Sequence, residues 1–203
     1  MPETLISAGQ ALEELRDLLQ SQCLAYGDFV LTSGRRSAYY NGKRVTLAPR
    51  GALLVGRVLF EMLRGKGIEA VGGTAIGADP MVTAIAIVSE LEGEPAPAFI
   101  VRKEKKAHGT RENVAEAFAS DGPPLLSPGR KDAVVDDAVT TGGSLMESIE
   151  AAEALDCKVD LVQALVDRHE GGGDAIRARG YTFLSAFGCD AEGRLGIEAG
   201  LER

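Results

Sequence analysis

From Ile68 onward the chain alternates short apolar runs with segments of helical periodicity, and this alternation restricts the fold more than any other feature. Strand-like stretches run from Ile68 to Gly72, Ala98 to Val101, Lys131 to Val135, Val159 to Val166 and Tyr181 to Phe187. Between them, Asp79 to Leu91 (with Pro80 in its first turn), Ser144 to Leu155 and Ala175 to Arg179 carry helix signals. Strands alternating with helices imply βαβ units. The predicted class is α/β, a mainly parallel sheet flanked by helices.

Upstream, residues 10–22 place Leu12, Leu15, Leu18 and Leu19 at helical spacing. Tyr26 to Thr32 reads as a strand broken by Ser33-Gly34. Ser37 to Val45 reads as a hairpin arm with Asn41-Gly42 as turn chemistry. A helix follows Pro49, with Leu53, Leu54, Val58, Leu59 and Leu63 on one face, and stops around Gly65 and Gly67. With 203 residues, 45% of them hydrophobic, one domain with a substantial core is expected. Residues 1–48 form its N-terminal helix and hood, and residues 49–203 its α/β core. Gly188 to Arg203 fits either a last strand or a loose tail.

Composition excludes several functions. The net charge of −8 argues against a general nucleic-acid or anionic-membrane surface. No apolar run reaches the ~18 residues a membrane span needs. The N-terminus carries acids early and lacks the basic-then-apolar order of a signal peptide. Cys23, Cys157 and Cys189 are far apart, with no CxxC spacing and no complete disulfide set, which fits a reducing cytoplasm.

The stretch DAVVDDAVTTGGS, Asp132 to Ser144, carries the chemistry. An apolar run ends in Asp136 and Asp137, then Ala138 and Val139, and Thr140-Thr141-Gly142-Gly143-Ser144 leads into a helix. Ligands of open parallel sheets bind beyond the carboxyl ends of the strands. A helix N-terminus offers unsatisfied N–H groups and partial positive charge to a phosphate. Two glycines let the backbone approach closely, and three hydroxyls add donors. The paired carboxylates suit the vicinal hydroxyls of a sugar. Phosphate and diol bound at one turn describe a ribose 5-phosphate. A single helix cap, the plainer alternative, does not need two aspartates, two threonines and two glycines together.

VVDDAVTTGGS resembles the phosphoribosyl-pyrophosphate (PRPP) signature of the type I phosphoribosyltransferases, which implies that family's fold, with a small hood and a mobile basic loop. In that family the acidic pair engages the ribose hydroxyls and the following loop holds the 5-phosphate. The resemblance therefore implies PRPP contacts along Asp136, Asp137, Ala138, Val139, Thr140, Thr141, Gly142, Gly143 and Ser144.

Three more segments resemble orotate phosphoribosyltransferases in particular. Arg102-Lys103-Glu104-Lys105-Lys106-Ala107-His108-Gly109 is similar to their catalytic loop, roughly RKExKxHG. Arg102, Lys103, Lys106 and His108 then occupy its functional positions, also as PRPP contacts. Arginine and lysine neutralise a departing pyrophosphate, and histidine donates a hydrogen bond or proton. Phe29 to Tyr40 resembles the segment FxLxSGxxSxxY, which closes over the base and brings Tyr39 and Tyr40 to it. Val166 to Gly172 resembles DRxEGG, whose arginine, here Arg168, meets the orotate carboxylate, with Thr140 also oriented to the base.

The chain departs from the pattern at two places. Thr32 stands where some relatives carry a lysine that contacts PRPP, and Glu116-Ala117 stands where Glu-Gly is expected. The resemblance implies transfer of phosphoribose from PRPP to orotate in pyrimidine (UMP) biosynthesis, giving orotidine 5′-monophosphate and pyrophosphate. It also implies Mg²⁺ held mainly by PRPP rather than by protein ligands, and a homodimer sharing loop residues between subunits. A phosphoribosyltransferase for a purine-like base, or a PRPP-sensing regulator without chemistry, is the alternative.

Overall fold

Strands that alternate with helices along the chain lie side by side in the computed structural model, which describes residues 6–30, 36–40, 42–103, 114–116 and 124–201. After helix α1 (Ala8–Gln22), strands β1 (Leu24–Val30) and β2 (Arg36–Tyr40) form a two-stranded antiparallel arm. Helices α2 (Lys43–Thr46) and α3 (Pro49–Leu63) lead to β3 (Ala70–Thr74), α4 (Asp79–Leu91), β4 (Ala98–Val101) and β5 (Val114–Glu116). Then come β6 (Lys131–Val139), α5 (Gly143–Glu153), β7 (Lys158–Asp167), α6 (Gly172–Ala178), β8 (Phe183–Cys189) and β9 (Leu195–Ile197).

The main sheet has the order β5-β4-β3-β6-β7-β8-β9. Its five inner strands are parallel, and the short edge strands β5 and β9 run antiparallel to their neighbours. From β3 the chain steps outward to β4, then crosses back to lay β6 on the other side of β3. Strand order therefore reverses between β3 and β6, where such sheets form a ligand crevice at their carboxyl ends.

Side chains of successive strand residues point to opposite faces. Val71, Ala133, Val135 and Leu161 join the apolar sides of α1, α3 and α4 on one face. Ala70, Val134 and Val162 join Leu145, Ile149 and Ile176 of α5 and α6 on the other. Both faces are covered, which is why the inner strands read as continuous apolar runs. α1 starts at Ser7, whose Oγ accepts from the Gln10 N–H at 3.3 Å, and it buries Leu12, Leu15 and Leu19. Each fully buried leucine contributes roughly 2–3 kcal/mol. At its C-terminal end, Gln20 donates through Nε2 to the Gly193 carbonyl (3.2 Å) and accepts from the Leu195 N–H (2.7 Å), joining α1 to β9. Cys23, Cys157 and Cys189 are free and buried; burial pushes the Cys23 thiol up to about 11 and Cys157 up to about 12.

Several sequence expectations need correction. The arm over Ser37 to Val45 exists only as far as Tyr40. Gly42 is no hairpin turn but the N-cap of α2, because Val45 and Thr46 must coil inward to be buried. β6 does not stop at Val135: β7 runs alongside it, pairing Asp136 with Ala164, Ala138 with Val166 and Val139 with Asp167. β3 and β8 each lie two residues later than the runs Ile68 to Gly72 and Tyr181 to Phe187, and α6 begins at Gly172 rather than Ala175. The open question of the tail resolves as β9 followed by a short extension across β8.

Candidate active site

Asp136 and Asp137 occupy the second half of β6, where the sheet's burial gives way to partial exposure. The Asp137 N–H donates to Asp136 Oδ1 at 2.9 Å, so the two carboxyl groups share one turn of backbone. Burial, with the adjacent Asp137 charge adding to it, pushes the Asp136 carboxyl up to about 7.

Thr140, Thr141 and Gly142 follow as the turn, and Gly143 and Ser144 are the first residues of α5. Gly142 sits at φ 83°, a left-handed conformation that glycine adopts without strain. It has no side-chain cap, so the amides opening α5 stay free to meet an anion. The capping alternative, in which Asp137 or Thr140 serves only to close this helix, therefore fails. Thr74, at the end of β3, fixes the turn from beneath: its Oγ1 lies 2.9 Å from the Ser144 carbonyl and 2.7 Å from Ser148 Oγ.

The loop after β7 packs directly on this turn. The Arg168 N–H donates to the Val139 carbonyl (3.0 Å) and the Gly172 N–H to the Thr140 carbonyl (2.8 Å). A Cβ on Gly172 would lie 2.6 Å from the Thr140 oxygen, so only glycine permits this approach. The Arg168 guanidinium is mostly covered and meets Glu170 Oε1 at 3.0 Å. The structure thus brings Asp136 to Ser144 and Arg168 to one end of the sheet.

Other sequence candidates fall differently. Arg102 stands just past β4, with Nη1 3.4 Å from the Val114 carbonyl, and Lys103 is exposed beside it. Lys106 and His108 lie outside the described residues, as does Thr32. Tyr39 and Tyr40 close β2, and their side chains lie outside the described ones.

Sequence reasoning missed two contributors. Lys43, in α2, brings Nζ to 3.4 Å from Asp137 Oδ2 and lowers the proton affinity of Asp136 by its charge. It lay in a segment read as a hairpin arm, and its one signal was a cation soon after the SG segment. The second is the connection from β3 to α4, Ala75-Ile76-Gly77, which contains a cis Ala75–Ile76 peptide. A Cβ on Gly77 would lie 3.2 Å from Asp136 Oδ1 and 3.3 Å from Asp137 Oδ1, so this loop borders both carboxylates. A glycine-rich strand end, GGTAIGAD, was the available clue.

The arrangement gathers an acceptor pair, the amides opening α5 and the loop of Arg168 at the carboxyl ends of β6 and β7. It can hold a phosphorylated sugar and an anionic planar partner. No family model matches the chain. It is 45% identical to an orotate phosphoribosyltransferase of Nostoc sp. over 175 residues, 86% of this chain and 81% of that protein. Among solved structures, orotate phosphoribosyltransferase of Mycobacterium tuberculosis with Fe(III) dicitrate superposes with TM-score 0.77 at 33% identity, covering 90% of this chain and 99% of that one. The same enzyme in complex with PRPP gives TM-score 0.72 at 30% identity, covering 88% and 96%. An adenine phosphoribosyltransferase from Leishmania donovani shares the fold, with TM-score 0.62 at 18% identity, covering 87% and 80%.

Proposed function

The chain belongs to the family of orotate phosphoribosyltransferases and carries out their reaction, and we propose that the carboxyl ends of β3, β6 and β7 are where it does so. It transfers the 5-phosphoribosyl group of PRPP to orotate, giving orotidine 5′-monophosphate and pyrophosphate in pyrimidine biosynthesis. The observation that carries the assignment of the site is the Asp136–Asp137 pair beside the uncapped N-terminus of α5.

In this reading the α5 amides and the hydroxyls of Thr140, Thr141 and Ser144 anchor the 5-phosphate. Asp136 and Asp137 accept hydrogen bonds from the ribose diol, which orients the anomeric carbon. Charge-assisted bonds of this kind are the strong ones. Arg168 pairs with the orotate carboxylate, with Thr140 and the segment of Tyr39 and Tyr40 against the ring. Departure of pyrophosphate leaves oxocarbenium character on the ribose. Arg102, Lys103, Lys106 and His108 meet the negative charge that builds on the leaving group.

Mg²⁺ belongs to the same proposal. It binds readily to substrate phosphates with few protein ligands, and a carboxylate pair beside an uncapped helix N-terminus fits an ion that arrives on PRPP oxygens. When bound it neutralises pyrophosphate charge. We further propose one catalytic domain, residues 1–48 forming helix and hood on the core of 49–203, because α1 packs into the same apolar cluster as α3 and the sheet. A homodimer sharing basic-loop residues, and a cytoplasmic location in keeping with three free buried thiols, complete the proposal. Among the described residues no helix is long and apolar enough to cross a membrane.

The test is loss of orotate absorbance on mixing protein, PRPP, Mg²⁺ and orotate, with adenine, xanthine and uracil in parallel. Consumption of orotate alone, dependent on Mg²⁺, is expected. PRPP binding without orotate turnover would overturn the reading.

A further inference from the structure

The turn that carries Arg168 is held by a second group of side chains that no step above uses. His169 has φ 52°, a left-handed conformation that is unfavourable for a residue with a Cβ. Its N–H donates to Oδ1 of the buried Asp167 at 2.9 Å. Its imidazole Nε2 lies 2.9 Å from Glu198 Oε1, and Nδ1 lies 3.8 Å from Asp167 Oδ2. Glu198 follows β9; its N–H donates to the Ala186 carbonyl at 3.0 Å, and its second carboxylate oxygen accepts from Ser185 Oγ. Gly188 leaves space for the contact, since a Cβ there would stand 2.3 Å from Glu198 Oε1 and 2.5 Å from His169 Nε2.

Packing does not hold the imidazole. The His169 side chain is 55% exposed, and with Ser185 and Glu198 it lines a cavity of about 650 Å³. What fixes it is Glu198 of the tail, itself bonded to Ser185 and Ala186 of β8, with the Asp167 carboxylate of β7 on the other side. Residue 169 follows Arg168 directly, so the backbone conformation of one sets the direction of the other.

We propose that the His169–Glu198 pair is a positioning device for the base: the tail holds His169 in its left-handed turn, and the turn aims Arg168 at the substrate carboxylate. His169 and Glu198 are positioning residues that act through Arg168. The inference rests on the reading that Arg168 meets orotate. It predicts that binding of orotate depends on residue 198, whereas binding of PRPP, held by the turn after β6, does not.

Steady-state KM values for both substrates, measured on full-length Glu198→Ala, Glu198→Gln, His169→Ala and Arg168→Ala proteins, test it. Loss of one charge-assisted hydrogen bond at the device should raise the orotate KM about five- to tenfold in Glu198→Ala and His169→Ala. The PRPP KM should stay within about twofold on the same reasoning. Glu198→Gln, which can still accept from the imidazole, should recover most of the loss. If Arg168→Ala raises the orotate KM and Glu198→Ala does not, the device is refuted while the role of Arg168 stands. An unchanged orotate KM in Arg168→Ala would remove that role, and the device with it. A parallel rise of both KM values in Glu198→Ala, with a lowered Tm, would reduce the pair to a structural contact.

Discussion

Replacing Asp136 by asparagine should make the free protein more stable while disabling it, and the gain should grow with pH. Folding raises the Asp136 carboxyl from 3.8 to about 7, chiefly through burial and the neighbouring Asp137 charge. A carboxyl raised by folding favours the native state while it is protonated, and that favour is lost as pH climbs from the unfolded value toward the folded one. At about 1.4 kcal/mol per unit, the ionised group costs about 4 kcal/mol at pH 8 and about 2 kcal/mol at pH 5. Asparagine copies the shape of the protonated acid and keeps an Oδ1 for the Asp137 N–H, so it escapes this cost. Its advantage should therefore be roughly 2–3 kcal/mol larger at pH 8 than at pH 5. For a chain of this size that is about 5–10 °C in Tm. Urea unfolding or calorimetry at the two pH values measures it. The same variant should lose about 10- to 100-fold in kcat/KM for PRPP, the usual worth of a hydrogen bond to a charged group. A gain that is equal at both pH values would refute the claim that the fold penalises this charge.

Lys43→Ala removes a half-exposed ion pair, so Tm should barely move; because the Lys43 charge favours ionisation of Asp136, the acidic limb of the kcat/KM profile should shift to higher pH. A profile that stays in place would separate Lys43 from the pair. Gly172→Ala places a Cβ against the Thr140 oxygen; overpacking of this kind should lower stability by about 1–3 kcal/mol and weaken PRPP binding in a direct titration. Thr74→Val deletes the hydroxyl beneath the turn after β6, and should cost about 1–3 kcal/mol in chemical unfolding, with a higher PRPP KM and an unchanged orotate KM.

The inner sheet was legible because its strands are buried on both faces and so spell themselves as apolar runs between helices. The turn after β6 stood out in the text for a local reason: its glycines, hydroxyls and carboxylates are consecutive. Where pairing depends on a distant partner, the text misleads. Asp136 and Asp137 look like a strand end, yet β7 carries the ladder past them to Val139. Three-residue strands such as β5 and β9 are too short to show a period, and they form only against β4 and β8. Gly42 has turn chemistry, but burial of Val45 and Thr46 directs it into α2. Lys43 and Asp137, or His169 and Glu198, are far apart in the chain, and nothing in either segment alone announces the other.

The amide of Gln20 grips both the Gly193 carbonyl and the Leu195 N–H, across more than 170 residues of chain. Opening of either segment breaks both bonds. The last turn of α1 and the strand β9 should therefore open as a single cooperative unit, at a lower free energy than the inner strands. Native-state hydrogen exchange would show their backbone protons lost at a common rate, although one segment is made long before the other.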